Sequence, residues 1–174
     1  MQVNYRCICN NILEFWNLID TYNPDVVIGT ESWLSEEINN AEVFRDIYIT
    51  FRRDRCSRGG GVFICVKNCI DCRELWTDED FEMVAIKVKV RKPKFTWEVV
   101  RIYRAPDEDM RVIERQAART GCTGNSTKRS IIGVDLNLPY ADCNGNAGGN
   151  TGTQALINSF VWENGYSDVI DGPK

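Results

Sequence analysis

Hydrophobic residues recur with helical spacing near the start of the chain and then form a continuous run. Between positions 12 and 22 they fall three or four residues apart, and Asn23-Pro24 ends the pattern, so a helix is predicted there. Residues 26–28 are all apolar and are followed by Gly29-Thr30, which is typical of a strand buried on both faces. The sequence therefore predicts a helix that leads into an interior strand.

Alternation of apolar and polar positions predicts further strands. Residues 47–52 and 62–66 alternate on either side of RRDRCSRGGG, a glycine-containing connection with four arginines, which indicates an antiparallel hairpin. Residues 84–91 alternate most clearly, and a Lys-Pro-Lys turn joins them to a strand over 96–103. We expect this second hairpin to expose one polar face to solvent.

The remaining segments complete a layered arrangement. Residues 107–120 and 153–162 show helical spacing, residues 130–133 form a short buried strand, and residues 168–170 resemble the beginning of a last strand. Hairpins and buried strands with helices between them predict an α/β (α+β) protein in which helices cover two sheets. We expect one domain over residues 1–174, and, because no strand pattern follows residue 170, we expect the last strands to be missing.

Composition narrows the class of protein. The chain has 174 residues, of which 43% are hydrophobic and 26% charged, so a disordered or collagen-like chain is excluded. No apolar run approaches the roughly 20 residues of a membrane span, and the first residues lack a secretion signal, so an intracellular protein without membrane contact is expected. The formal net charge of −4 does not indicate nucleic-acid binding, so a phosphate partner needs a local basic patch or a metal ion.

Histidine is absent and cysteine is abundant. The eight cysteines are expected to be reduced and packed as small hydrophobic side chains. A C-x-C at Cys7 and Cys9 and a C-x-x-C at Cys69 and Cys72 leave a zinc site as the alternative. Without histidine, the chain lacks the commonest general base, the Ser-His and Cys-His nucleophile pairs and every histidine-based metal site.

Polar side chains fall where the predicted strands end. They are Asn4, Glu31, Tyr103, Arg104, Asp135 and Asn137. Strand ends in α/β folds meet at a common rim where ligands bind, so we expect these side chains to lie close together. Carboxylate and carboxamide oxygens favour Mg²⁺, which also bridges to phosphate oxygens. Each residue taken alone has a simpler interpretation, as a solvated acid, a turn residue or a strand aromatic.

Five motifs in a fixed order indicate a family: NYRCICNNILEFWNLI, GTESWL, RRDRCSRGGGV, IYRAP and IIGVDLNLP. Over essentially its whole length the chain resembles the endonuclease/exonuclease/phosphatase superfamily, and more narrowly the endonuclease domain of non-LTR (LINE-type) retrotransposons. The resemblance implies a four-layer sandwich of two mixed β-sheets flanked by helices. It also implies Mg²⁺-dependent nicking of DNA, with Mn²⁺ as the alternative ion, a nuclear location and a reverse transcriptase domain downstream. It implies nothing about the oligomeric state.

The resemblance assigns roles residue by residue. Glu31 matches the metal-ligand glutamate of the family, and Asn4 matches the asparagine that lies beside the metal. Tyr103 matches the tyrosine that contacts the scissile phosphate. Asp135 and Asn137 match the aspartate and asparagine that orient the nucleophile or leaving group and hold the phosphate.

Arginines are the expected contacts to the flanking DNA phosphates, which would make affinity depend on salt. Four lie in the glycine-containing hairpin and one ends the strand over 96–103: Arg52, Arg53, Arg55, Arg58 and Arg104. For the hairpin group, a solvated surface loop is an equally good interpretation.

The sequence departs from the family pattern in ways that bear on activity. The terminal serine-aspartate-histidine motif of the family, which supplies the general base, has no counterpart here, and losing a general base typically costs about 10²–10⁴-fold in rate. Val134 stands where the family usually has glycine, which predicts crowding near Asp135. We therefore expect impaired nicking. The alternatives are a catalytically inactive remnant that binds nucleic acid and a phosphatase that acts on small phosphoesters.

Overall fold

The structure, a computed structural model, describes residues 1–55, 59–78, 81–90, 95–106 and 129–137. The chain divides into two compact units, Met1–Ala105 with Thr127–Leu136 and Pro106–Ser126 with Asn137–Lys174. All of the described helices and strands lie in the first unit. The helices are a 3-10 turn (Ile8–Asn11), α1 (Ile12–Tyr22) and α2 (Asn40–Val43). The strands are β1 (Gln2–Asn4), β2 (Val26–Thr30), β3 (Tyr48–Arg53), β4 (Val62–Lys67), β5 (Asp71–Thr77), β6 (Met83–Val90), β7 (Phe95–Tyr103) and β8 (Arg129–Asp135).

The strands form two four-stranded mixed sheets. The N-terminal sheet has the order β1-β2-β4-β3, in which β1 and β2 are parallel and the other pairs are antiparallel. The C-terminal sheet has the order β5-β6-β7-β8, in which β7 and β8 are parallel and the other pairs are antiparallel. Both predicted hairpins and the predicted two-sheet sandwich are confirmed.

The two sheets pack face to face through alternate residues of their strands. Aliphatic side chains of β2 and β4 meet those of β6 and β7 in one buried cluster, which includes Ile28, Ile64, Ile86 and Val99. On its other face the N-terminal sheet carries α1, whose Phe15 and Ile19 pack against Phe44 and Phe63. The predicted helix over residues 12–22 is confirmed, and Asn23 ends it in the left-handed conformation, with φ 43°.

Gly29 shows why β2 carries a glycine in a buried strand. A Cβ atom at this position would overlap the Phe63 ring, which lies over the strand on the helix-covered face. Phe63 in turn contacts Phe15 edge-on, with ring centroids 6.0 Å apart. The glycine therefore lets an aromatic cluster lie directly on the sheet.

The structure differs from the sequence-based expectation in the C-terminal sheet. Strand β5 was not predicted, because its polar residues are spread along an edge strand and a bulge between Glu74 and Trp76 interrupts the alternation. The second hairpin also lacks the fully polar face that we expected. Ala85, Val100 and Ile102 are buried on the outer face of the sheet, so only the far end of β6 has a solvated side.

The predicted helices over residues 107–120 and 153–162 and the predicted strand over 168–170 lie outside the described residues. Whether residues 1–174 form one domain stays a prediction. Of the helices in the described part of the chain, none combines the length and the apolar character needed to cross a membrane.

Candidate functional site

The ends of four strands from both sheets meet at one place. Asn4 ends β1 and lies opposite Thr30, which ends β2. Tyr103 ends β7 and lies opposite Asp135, which ends β8. The Asp135 Oδ2 atom accepts hydrogen bonds from Asn4 Nδ2 at 3.0 Å and from Thr30 Oγ1 at 3.0 Å. Because each parallel pair delivers its carboxyl-terminal ends to the same edge, the two sheets share one polar cluster.

Glu31 follows β2 directly and joins this cluster through Tyr103. Its Oε1 atom accepts a hydrogen bond from the Tyr103 hydroxyl. Its Oε2 atom accepts hydrogen bonds from Trp33 Nε1 at 2.5 Å and from the Gly60 backbone N–H at 3.1 Å. Burial alone would raise the pKa of Glu31, but these donors and the charge of Arg6 outweigh it, so the pKa lies below its ordinary value. The carboxylate is therefore ionised at neutral pH.

The backbone around Glu31 is strained. Glu31 has φ 57° and Trp33 has φ 53°, a left-handed conformation that is unfavourable for non-glycine residues by about 1–3 kcal/mol each. The Trp33 backbone N–H is held by the Gly60 carbonyl at 3.0 Å, and its indole is 42% exposed beside the carboxylate. Strain of this kind is concentrated at functional sites, where the surrounding contacts maintain it.

A glycine loop supplies some of those contacts. Gly59, Gly60 and Gly61 all have positive φ, at 98°, 74° and 86°. The Gly60 N–H binds Glu31, and the Gly61 N–H donates to the Glu82 carboxylate. Sequence reasoning interpreted these glycines as an ordinary hairpin loop, and three consecutive glycines were the available signal for a close backbone approach.

Tyr103 is buried, with 3% exposure. Burial raises the pKa of its hydroxyl strongly, and the hydrogen bond to Glu31 and the negative charges of Glu31, Glu82 and Asp135 raise it further. Tyr103 therefore remains a neutral phenol that donates a hydrogen bond.

The fifth residue of the expected site is Asn137. It lies two residues beyond β8, with a half-buried side chain and φ 48°. It belongs to the second compact unit, whereas the four other residues lie in the first. Val134, in contrast, does not crowd Asp135. Its side chain packs on the outer face of the C-terminal sheet with Met83 and Ala85, because neighbouring residues of a strand point to opposite faces.

Sequence reasoning missed Thr30 and Arg101. Thr30 is fully buried, and its Oγ1 atom accepts a hydrogen bond from Arg101 Nη2 at 3.0 Å. Arg101 lies on β7 two residues before Tyr103, on the face that packs against the N-terminal sheet. The period-2 pattern could have placed Arg101 on that face, but nothing in the sequence indicates its partner.

The arginines expected to bind DNA are placed differently from one another. The Arg52 side chain is 13% exposed, and its guanidinium donates to the backbone carbonyls of Ser35, at 3.1 Å, and Ile38, while an ion pair joins it to Asp54 at 3.2 Å. Arg104 is buried and donates to the Leu136 carbonyl at 3.1 Å. Internal carbonyls therefore accept from both guanidinium groups, and binding of either arginine to DNA stays a prediction.

Two of the other hairpin arginines lie within the described residues. Arg55 is 31% exposed and pairs through Nε with Glu82 at 3.4 Å. Arg53 ends β3 opposite Val62, with a half-buried side chain. Arg58 lies outside the described residues. Their binding to DNA stays a prediction.

The donor chemistry of the cluster fits Mg²⁺. Glu31 supplies a carboxylate and Asn4 a carboxamide oxygen, which suits an ion that takes one or two carboxylates and completes its shell with water and phosphate oxygens. Within the described ranges, no group of three or more acidic or sulfur side chains could hold a metal.

Of the five cysteines in the same ranges, Cys65 alone is buried, while Cys9 and Cys69 are exposed, so the expectation of buried thiols is wrong for those two.

Comparisons with known proteins identify the class of fold. No family model matches the chain, and no curated protein matches it. Solved structures do match, among them nucleases and phosphatases of the endonuclease/exonuclease/phosphatase fold. The resemblance stated from the sequence is therefore confirmed at the level of the fold.

Three solved structures superpose on the chain with TM-scores between 0.66 and 0.71. The endonuclease domain of TRAS1, a telomere-specific non-LTR retrotransposon, superposes with a TM-score of 0.71 at 16% identity, over 98% of this chain and 72% of that one. An AP endonuclease from Archaeoglobus fulgidus superposes with a TM-score of 0.66 at 14% identity, over 93% of this chain and 69% of that one. The 3′ phosphatase NExo (D146N) from Neisseria, bound to a product DNA hairpin, superposes with a TM-score of 0.67 at 13% identity, over 92% of this chain and 68% of that one.

Proposed function

We propose that this protein hydrolyses phosphodiester bonds of DNA in a reaction that depends on a divalent metal ion, as a nicking endonuclease. The observation that carries the proposal is that the ends of four strands bring together two hydrogen-bonded pairs, Asn4 with Asp135 and Tyr103 with Glu31. The fold is shared with solved nucleases, including a retrotransposon endonuclease domain, which supports this chemistry over a purely structural role.

The residues have complementary tasks in such a reaction. Asn4 and Thr30 donate to one oxygen of Asp135, which leaves the other oxygen to orient the attacking water or receive its proton. Tyr103 is a neutral donor and can stabilise charge that develops on a phosphate oxygen. Because the sequence has no histidine, Asp135 is the group in this cluster best suited to accept the proton, and we propose that the rate is low for that reason.

Glu31 and Asn4 are the residues that would hold a Mg²⁺ ion, with Mn²⁺ as a substitute. Glu31 is suited to this task because its carboxylate stays ionised and is fixed by three donors. The ion would neutralise negative charge on the phosphate when bound.

Nicking of supercoiled plasmid DNA tests the proposal. We expect slow conversion to open circles that requires Mg²⁺ or Mn²⁺ and stops on chelation with EDTA. Glu31→Gln should abolish the conversion, because it removes the charge that binds the cation. Glu74→Gln is the matched control, since Glu74 is an exposed carboxylate on the edge strand β5. Equal nicking by wild type and Glu31→Gln would contradict the site assignment.

The same preparation separates the alternatives. Binding to DNA that weakens with salt, needs no Mg²⁺ and is accompanied by no nicking would indicate an inactive binding remnant. Hydrolysis of small phosphomonoesters without nicking would indicate a phosphatase. DNA contacts of Arg53, Arg55 and Arg58 stay predictions from charge, and the family resemblance predicts a reverse transcriptase domain downstream and a nuclear location.

A further inference from the structure

Arg101 is an unusual residue for the centre of a β-sandwich. It is 1% exposed and lies between the two sheets. Opposite it on β8 is Gly133, where an added Cβ would come within 2.6 Å of Ile28 Cδ1 and 2.8 Å of Arg101 Nη1. The glycine therefore leaves space for the guanidinium. Burial lowers the pKa of Arg101 to about 10, with the charge of Asp135 acting in the opposite direction, so the side chain stays protonated at neutral pH.

A hydrophobic residue at position 101 would be buried at a lower cost in free energy than an arginine. Its neighbours on the same face of β7, Val99 and Tyr103, belong to the apolar cluster between the sheets. A buried cation is unfavourable unless hydrogen bonds and an opposite charge compensate it, and within the described part of the chain its Nε and Nη1 atoms have no hydrogen-bond partner. The contact that Arg101 does make is to Thr30.

That contact determines which way the Thr30 hydroxyl donates. A hydroxyl has one proton and two lone pairs, whereas a guanidinium has donors and no acceptor. Thr30 Oγ1 must therefore accept from Arg101 Nη2, at 3.0 Å, and its single proton is directed to Asp135 Oδ2, also at 3.0 Å. Arg101 thus fixes the direction in which the Thr30 hydroxyl points, and that hydroxyl in turn holds the Asp135 carboxylate.

Asp135 is held asymmetrically as a result. Asn4 and Thr30 both donate to Oδ2, and the structure gives Asp135 no other side-chain hydrogen bond among the described residues. We infer that Arg101 and Thr30 are positioning residues that lock the Asp135 carboxylate, so that Oδ2 is occupied and Oδ1 faces the reacting atoms. This inference rests on the proposed function, because it concerns how Asp135 acts in phosphodiester hydrolysis.

The test compares Thr30→Val, which keeps the shape and removes the hydroxyl, with Thr30→Ser, which keeps the hydroxyl. We expect Thr30→Val to lower kcat for plasmid nicking by about tenfold, a loss of about 1.4 kcal/mol in transition-state stabilisation, while KM for DNA is unchanged. Thr30→Ser should recover most of that loss. Thr50→Val is the matched control, because Thr50 lies in the same sheet and its Oγ1 contacts Cys65 Sγ at 3.4 Å. An unchanged kcat in Thr30→Val, or equal losses in Thr30→Val and Thr30→Ser, would overturn the inference.

A second measurement does not depend on activity. Melting temperatures of Thr30→Val, Asp135→Ala and the double variant form a cycle, and we expect the double variant to lose less than the sum of the single losses because the two residues share one hydrogen bond. Additive losses would overturn the inference even if nicking is observed. Absence of nicking by the wild-type chain would contradict the proposed function, and the cycle would then still decide whether Thr30 holds Asp135.

Discussion

The Tyr103 hydroxyl donates a hydrogen bond to the Glu31 carboxylate, although the two residues belong to different sheets and lie 72 positions apart. Glu31 follows the second strand of the N-terminal sheet, and Tyr103 ends the third strand of the C-terminal sheet. This contact therefore connects the two halves of the sandwich at the candidate site. It also keeps the carboxylate charged and the phenol neutral.

Tyr103→Phe should destabilise the protein as well as impair nicking. The substitution keeps the ring in the apolar cluster and removes a hydrogen bond to a charged group, so we expect a loss of about 1.5–3 kcal/mol in the free energy of unfolding. Denaturation with urea measures it. Tyr22→Phe is the control, because Tyr22 is exposed on α1. Equal stabilities of Tyr103→Phe and Tyr22→Phe would show that the contact contributes nothing.

Gly29→Ala should be costly because its methyl group would meet the Phe63 ring. We expect a loss of about 1–3 kcal/mol, the usual effect of overpacking a core. Phe63→Leu makes space at the same point, so the double variant should lose less than the sum of the single losses, as measured by thermal unfolding. Additive losses in this pair would mean that the overlap with Phe63 is not the cause.

Cys65 should make the stability sensitive to alkaline pH. Burial raises its pKa from 9.0 to about 12, against a hydrogen bond with Thr50 that acts in the lowering direction. Because the unfolded chain releases this proton first, the contribution of the neutral thiol is complete below pH 9.0 and is lost as the pH rises towards 12. The free energy of unfolding of wild type should therefore fall more steeply above pH 9 than that of Cys65→Ala. Parallel curves would contradict this prediction.

Reagents that attack thiolates should distinguish the cysteines of the native protein. Cys9 and Cys69 are exposed and should react with iodoacetamide at pH 8, whereas Cys65 should react only after unfolding. Peptide mapping by mass spectrometry measures the labelling. Fast labelling of Cys65 in the native state would mean that the N-terminal sheet opens readily.

Arg52→Gln should act on stability rather than on DNA affinity. The substitution removes donors to two carbonyls and leaves Asp54, whose pKa is raised mainly by burial, without its ion pair. We expect a loss of about 1–3 kcal/mol, while the slope of DNA affinity against salt stays unchanged. Lys89→Gln is the control, because the exposed pair of Lys89 with Asp71 contributes little. A smaller salt slope at wild-type stability would instead place Arg52 on a phosphate.

Much of the fold follows from local patterns. The helix over residues 12–22, the buried run over 26–28 and both hairpins were predictable because their periods of 3.6 and 2 residues reflect which side chains face the core. Strand β5 was not, since a bulge breaks its period and its exposed edge tolerates polar residues. The fully buried end of β7 was not predictable either, because one sequence does not show which faces of a sheet will be covered.

Some residues of the candidate site could likewise be selected from the sequence, and others could not. Asn4, Glu31, Tyr103 and Asp135 could be selected because polar residues that end apolar strands are expected at a common edge. Arg52 and Arg104 look like DNA contacts in the sequence, since charge alone does not show whether a guanidinium meets solvent or a backbone carbonyl. Thr30 and Arg101 emerged only from the folded chain, as did the contact of the Gly60 N–H with Glu31.

The sequence by itself determined the order of the elements, the hairpins and the identity of the polar side chains at the strand ends. The tertiary structure decided that Asp135 is held by Asn4 and Thr30, that Glu31 is held by Tyr103, and that Arg101 lies between the sheets. The reason is that periodicity depends on neighbours in the chain. Hydrogen bonds between residues 71 to 131 positions apart depend instead on strand register and on how one sheet lies over the other.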